Sequence, residues 1–167
     1  GIYDGWILES TETSSVGGAK DNAAATFILG DGAADKQYRA ILSFNTAALP
    51  DNAVITKATL RIKKQGLIGT NPFTLLGGLR VDMSKPSFGA LALTINDFQA
   101  PAGKVSVATF GTTPVLNWYS AVLNLTGRNY INKLGTTQFR LRFATDDNND
   151  NAADTMKFYS GDFATVS

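Results

Sequence analysis

The clearest pattern in the chain is an alternating segment followed by a loop of acids and amides. Phe139, Leu141 and Phe143 fall on one side of an extended segment, and Arg140 and Arg142 fall on the other. A period of two residues is typical of a β-strand with one buried face. We therefore predict a strand here, with the aromatic and leucine side chains in the core and the arginines directed outward.

The same alternation recurs along the chain between turn signals, as in 54–63, where Ala58, Leu60 and Ile62 alternate with polar residues. A short helix is predicted at 128–134, ending at Gly135. These patterns predict an all-β fold: one antiparallel β-sandwich domain spanning 1–167, jelly-roll-like, with nine or ten strands and at most one short helix. The remaining predicted strands are 3–9, 26–29, 38–44, 75–83, 104–110, 118–125 and one after the acidic loop.

The amino-acid composition limits the kinds of functional site that this fold can contain. The sequence contains neither cysteine nor histidine, which excludes thiol and imidazole catalysis and disulfide bonds. The net charge of +1 gives no overall attraction to nucleic acid, and no apolar run has the roughly 20 residues needed for membrane insertion. Charged residues make up only 17% of the chain, so that Thr, Ser, Asn and Gln must cover its surface. This composition is common in secreted β proteins, and we expect an extracellular or cell-surface location.

The acidic loop predicts a structural calcium site. Ca²⁺ binds six to eight oxygen ligands, and alternating Asp and Asn side chains on a tight loop supply them. The candidate ligands are Asp146, Asn148, Asp150 and Asp154. The spacing departs from an EF-hand, so a solvated turn held by side-chain hydrogen bonds is the alternative. Asp31 or Glu9 would complete the site if the fold brought either of them near.

Basic and aromatic side chains are the candidates for a ligand-binding face. Arginine pairs with carboxylates through two parallel hydrogen bonds, and exposed aromatic rings stack on sugars. The alternative is that these cations are ordinary solvent-facing strand residues and that the tryptophans are core residues. The candidate ligand-binding residues are Lys57, Arg61, Trp118, Arg140, Arg142 and Tyr159, with the basic residues, Lys63 among them, expected along one outer sheet face.

Several segments resemble the DNRLRE-domain family. They are 35–44 (DKQYRAILSF), 49–56 (LPDNAVIT) and 58–60 (ATL), with later similarity in 117–120 (NWYS) and 139–143 (FRLRF). The resemblance implies a non-catalytic β-sandwich of large secreted proteins, related to alginate-associated carbohydrate-binding modules. Lys36 stands where the family's motif usually has Asn. A final strand common in relatives has no counterpart before Ser167, which predicts an open apolar groove.

Two functions follow as hypotheses, and neither is catalytic. The acids cluster in one loop and no base orients a serine, so we predict that the chain is not an enzyme. The first hypothesis is a secreted module that binds extracellular polysaccharide, including acidic polysaccharide, and is stabilised by Ca²⁺. The alternative is a structural subunit of an extracellular fibre or surface layer, in which the groove accepts a strand from a neighbouring copy of the chain.

Overall fold

A computed structural model describes residues 1–161, which contain ten β-strands. Two short α-helices and one 3-10 helix (Ile95–Phe98) lie in the connections. The predicted all-β fold class is therefore confirmed. The regular elements are β1 (Gly5–Glu9), β2 (Gly17–Asp21), β3 (Thr26–Gly32), β4 (Lys36–Asn45), β5 (Thr59–Ile68), α1 (Pro72–Leu75), β6 (Leu79–Ser84), β7 (Lys104–Thr109), β8 (Trp118–Val122), α2 (Leu125–Tyr130), β9 (Thr136–Phe143) and β10 (Asp154–Tyr159).

All strand pairs are antiparallel and form one curled, nearly closed sheet in the order β7-β6-β9-β4-β3-β10-β5-β8. β1 pairs with β2 and β4 beside this path. The inner face encloses the main core, in which Leu29, Leu79, Leu141 and Phe158 are completely buried. This arrangement follows from the two-residue period of the strands, which places alternate apolar side chains inside.

A second, smaller core lies on the outer face of the sheet. In β4, Ala40 belongs to the main core while its neighbour Ile41 belongs to the second, as expected for successive residues of a strand. The connection between β6 and β7 covers this face and contributes three apolar side chains. The second core comprises Ile7, Ile41, Phe88, Leu93 and Phe98.

Local signals explain where the structure departs from the predicted elements. α2 begins at Leu125, earlier than predicted, because the Asn124 side chain accepts a hydrogen bond from the Gly127 amide at 2.9 Å. α1 is an additional helical turn, with Asn71 as its N-cap and proline at its first position. β2 was not predicted, because its sequence GGAKD has almost no apolar pattern.

No helix within residues 1–161 combines the length and apolar character needed to span a membrane. The predicted lack of a final strand concerns the chain after β10, where residues 162–167 lie outside the described range.

Candidate functional site

A cluster of cations and aromatic rings, which we call the cationic-aromatic surface, consists of Arg61, Lys63, Trp118 and Tyr159. Trp118 of β8 lies opposite Lys63 of β5. The guanidinium carbon of Arg61 is 4.8 Å from the centre of the Trp118 ring, and Lys63 Nζ is 5.7 Å from it. Lys63 Nζ also lies 6.0 Å from the Tyr159 ring. These distances are in the range of cation–π attraction, which holds the four side chains together.

Strand alternation explains why these side chains face outward. Leu60 and Ile62 of β5 are buried, so that the intervening Arg61 is exposed and Lys63 is half-buried. On β8, Tyr119 is buried in the core and Trp118 remains half-buried at the surface. A tryptophan at this depth keeps part of its ring available to a ligand.

A shallow groove of about 200 Å³ adjoins the cationic-aromatic surface. Its floor includes the apolar side chains of Phe27, Leu42 and Phe44. Phe44 is 43% exposed and also lines a second groove of about 230 Å³, whose walls include Leu60 and Leu123. Two apolar grooves therefore meet at one exposed aromatic ring.

The structure brings Arg61, Trp118 and Tyr159 together but separates the other predicted ligand-binding residues from them. Lys57 is exposed and precedes β5. The expectation that the basic residues share one outer face is wrong, because Arg140 is only 6% exposed. The covering connection between β6 and β7 buries the face on which Arg140 lies.

Arg140 and Arg142 instead belong to a buried ion-pair network. Asp82 accepts hydrogen bonds from Arg142 Nε at 2.9 Å, from Arg140 Nη2 at 3.3 Å and from the Ser106 amide at 3.0 Å. Arg140 Nη1 also donates to three carbonyl oxygens near the end of the 3-10 helix. Burial raises the pKa of Asp82, but these donors outweigh it, and the pKa is lowered overall. Arg140 thus fastens the covering connection to the sheet, and Arg142 pairs with Asp82 of the neighbouring strand β6.

The acidic loop lies at the other end of β10 from Tyr159. Asn148 Nδ2 donates to Asp150 Oδ2 at 3.0 Å and to Asp154 Oδ2 at 3.2 Å. Asp154 is buried, whereas Asp146 is exposed. Among residues 1–161, no three acidic side chains already converge as a metal-binding group. Asn148 nevertheless contacts two of the other three predicted ligands, Asp150 and Asp154.

Asp31 of β3 joins this end of the molecule. It lies opposite Asp154 in the β3–β10 register and is completely buried. The pKa of Asp31 is raised to about 6, mainly by burial. The charges of Asp154 and Asp150 also raise this pKa, whereas the backbone amides of Asp31 and Asn148 lower it in part. Sequence reasoning named Asp31 only as an addition to the loop, because strand pairing cannot be read from spacing.

Lys63 and Phe44 are further residues of interest that were absent from the predicted ligand-binding set. The alternation along β5 indicated Lys63 as an outward cation, but nothing in the sequence placed it beside Tyr159. Phe44 lies in the predicted strand 38–44, and although an open apolar groove was predicted, no sequence signal placed that groove at this ring.

No family model matches the chain, and comparison with curated proteins finds no significant match. The resemblance to the DNRLRE-domain family therefore stays a prediction that rests on the short motifs described above.

Proposed function

We propose that the chain is a non-catalytic, extracellular or cell-surface module that binds acidic polysaccharide through the cationic-aromatic surface. The observation that carries this proposal is the placement of Arg61 and Lys63 over the rings of Trp118 and Tyr159. A uronate residue combines a carboxylate with apolar C–H groups on its ring faces. Neighbouring cations and aromatic rings complement both of these features at one position.

The distribution of charge along β10 supports an acidic ligand. Asp154 begins the strand and Tyr159 ends it, so that the acidic loop and the cationic-aromatic surface are about 17 Å apart at 3.3 Å per residue. Although the net charge is only +1, acidic side chains therefore lie at one end of β10 and basic side chains at the other. A polyanion is attracted to the basic end and repelled by the acidic one, which fixes where it binds.

Affinity electrophoresis through gels containing polysaccharide tests the proposal. Alginate and polygalacturonate represent acidic ligands, and a neutral β-glucan represents the alternative ligand class. We expect retardation in the acidic gels and its loss in Trp118→Ala. Val122→Ala is the matched control, because Val122 is exposed on the same strand and lies outside the surface. Unretarded migration of the wild type in both acidic gels would contradict the proposal.

A second candidate function is supported by Phe44. The exposed ring at the junction of two apolar grooves offers an apolar floor to a strand from a neighbouring copy of the chain. Successive donation of strands would build a fibre.

Light scattering and electron microscopy of the purified chain test this second function. Filaments that disappear in Phe44→Ser and persist in Val105→Ser would support it, since Val105 is exposed on β7 and lines neither groove. A monomer at all concentrations would contradict it.

A further inference from the structure

Asp31 is a buried carboxylate that accepts no hydrogen bond of normal geometry from the described part of the chain, although the backbone amides of Asp31 and Asn148 lie near enough to lower its pKa in part. Its exposed fraction is 0%, and within residues 1–161 neither Oδ1 nor Oδ2 accepts a hydrogen bond. Buried carboxylates in folded proteins are normally paired or coordinate a metal, because an unpaired charge away from water is very costly. An interior carboxylate of this kind therefore indicates a missing partner.

The backbone brings Asp31 close to a second buried carboxylate. Asp31 and Asp154 are directly opposite each other on β3 and β10. The preceding residue, Gly30, has φ +121°, and a Cβ atom there would collide with the Asp154 carbonyl oxygen. Glycine thus permits a close approach of the strands where two negative charges face each other. Like charges directly across a sheet are destabilising unless a cation separates them.

The loop supplies further oxygen atoms at the same place. The Asn148 amide nitrogen lies between the carboxylates of Asp150 and Asp154, whose other oxygens accept from the Ala152 and Thr70 backbone amides. Rotation of this amide by half a turn directs its oxygen to the same point. Although no three acidic side chains among residues 1–161 already converge as a metal-binding group, three carboxylates and one amide oxygen would then be available to one ion.

We propose that Asp31, Asn148, Asp150 and Asp154 form a calcium site that joins β3 to the loop between β9 and β10. Ca²⁺ takes oxygen ligands from carboxylates, amides, backbone carbonyls and water in a flexible geometry, whereas Mg²⁺ requires a near-ideal octahedron. The ligands of this site come from two separate segments, which gives the ion a role in fastening them together. Asp146, a candidate ligand on spacing, is left out because Asn148 contacts Asp150 and Asp154 but, among the described residues, makes no hydrogen bond to Asp146.

The calcium site lies beyond the proposed polysaccharide function and does not depend on it. It occupies the opposite end of β10 from Trp118 and Tyr159. Its test measures calcium binding and stability without any polysaccharide. A negative result would therefore reject the calcium site and leave the polysaccharide proposal unaffected.

Thermal unfolding of chelator-treated protein with and without CaCl₂ tests the site, together with calorimetric titration of Ca²⁺. We expect one bound ion, and a rise in Tm of roughly 5–10 °C at calcium about 100-fold above Kd. Asp31→Asn removes one charged ligand, and we expect at least about tenfold weaker binding. In chelator this variant should melt above the wild type, because it no longer buries an unpaired charge.

Asp146→Asn is the matched control, since it removes an equal charge from the same loop without touching the site. It should keep the full calcium-dependent rise in Tm. Asp150→Asn is a second ligand variant at an exposed position, where misfolding is not expected, and it should also weaken binding.

Three results would each overturn the proposal. The first is the absence of binding up to about 10 mM Ca²⁺, well above the Kd of the weakest extracellular sites. The second is undiminished binding in both Asp31→Asn and Asp150→Asn. The third is an equal rise in Tm with Mg²⁺, which would contradict the assignment to calcium.

Discussion

Arg140 of β9 and Asp82 of β6 lie directly opposite each other, and Arg140 Nη2 is 3.3 Å from Asp82 Oδ2. Both side chains are buried, and Arg142 and the Ser106 amide satisfy the same carboxylate. Asp82 therefore accepts side-chain and backbone hydrogen bonds, whereas neither oxygen of Asp31 accepts a hydrogen bond of normal geometry within residues 1–161. Asp82 is thus a carboxylate that stabilises the fold through ion pairs, whereas Asp31 is one for which we propose a bound cation.

We predict that Asp82→Ala lowers the free energy of unfolding by about 3–5 kcal/mol, because it leaves Arg140 buried without its counter-ion. Urea denaturation measures the change. Arg80→Ala is the control on the same strand: Arg80 is exposed, and its loss should change stability by less than about 0.5 kcal/mol. Equal effects of the two substitutions would show that the ion pair has no special role.

The same carboxylate predicts a pH dependence of stability. The pKa of Asp82 is lowered from its ordinary value of 3.8, so its ionised form contributes stability above that value. This contribution is lost as the pH falls through the lower pKa of the folded state. The difference in unfolding free energy between wild type and Asp82→Asn should be constant above about pH 5 and shrink towards about pH 2. A difference that stays the same over this range would contradict the lowered pKa.

The cationic-aromatic surface predicts that charge contributes to ligand affinity. Arg61→Gln should weaken binding to polygalacturonate about fivefold, which corresponds to one exposed charged contact, and the loss should diminish at high salt. Isothermal titration at two ionic strengths measures it. Lys57→Gln is the control, because Lys57 is exposed but lies outside the surface. An equal loss in both variants would indicate attraction by total charge instead of a defined surface.

We predict that Phe73, in the one-turn helix α1, contributes strongly to the stability of the protein. Its ring stacks on Tyr119 at 4.9 Å and meets Phe143 edge-on at 5.1 Å. Phe73→Ala should therefore destabilise the protein by about 3–5 kcal/mol in urea unfolding. Leu75→Ala on the same helix, where the side chain is 39% exposed, should cost less than about 1 kcal/mol.

Much of the fold could be predicted from the sequence because the strand period is local information. Phe139, Leu141 and Phe143 enter the main core as predicted. The position of Arg140 could not be predicted, because alternation separates two faces of a strand without telling whether a distant segment covers the second. Here that segment carries Phe88 and Phe98, which pack on the outer face.

The candidate sites depend on strand pairing, which spacing does not encode. Arg61 and Trp118 are 57 residues apart in sequence and meet only because β5 pairs with β8. Asp31 and Asp154 meet in the same way across β3 and β10. The residue types indicated which kinds of ligand they could bind. Which of these residues lie close together is determined by the strand topology.

The location of β10 between β3 and β5 also has a consequence for the order of folding. Among the described strands, β10 provides the only ladder between the pair β5–β8 and the rest of the sheet, to which β8 is otherwise joined by isolated bonds such as that from the Gly111 amide to the Ser120 carbonyl oxygen. On the ribosome, that ladder cannot form until residues 154–159 have been synthesised, and these begin 86 residues after the end of β5. Assembly through contacts so distant in sequence is slow. The nascent chain therefore leaves β5 without one of its two neighbouring strands over this interval, which favours binding by chaperones that recognise extended apolar segments.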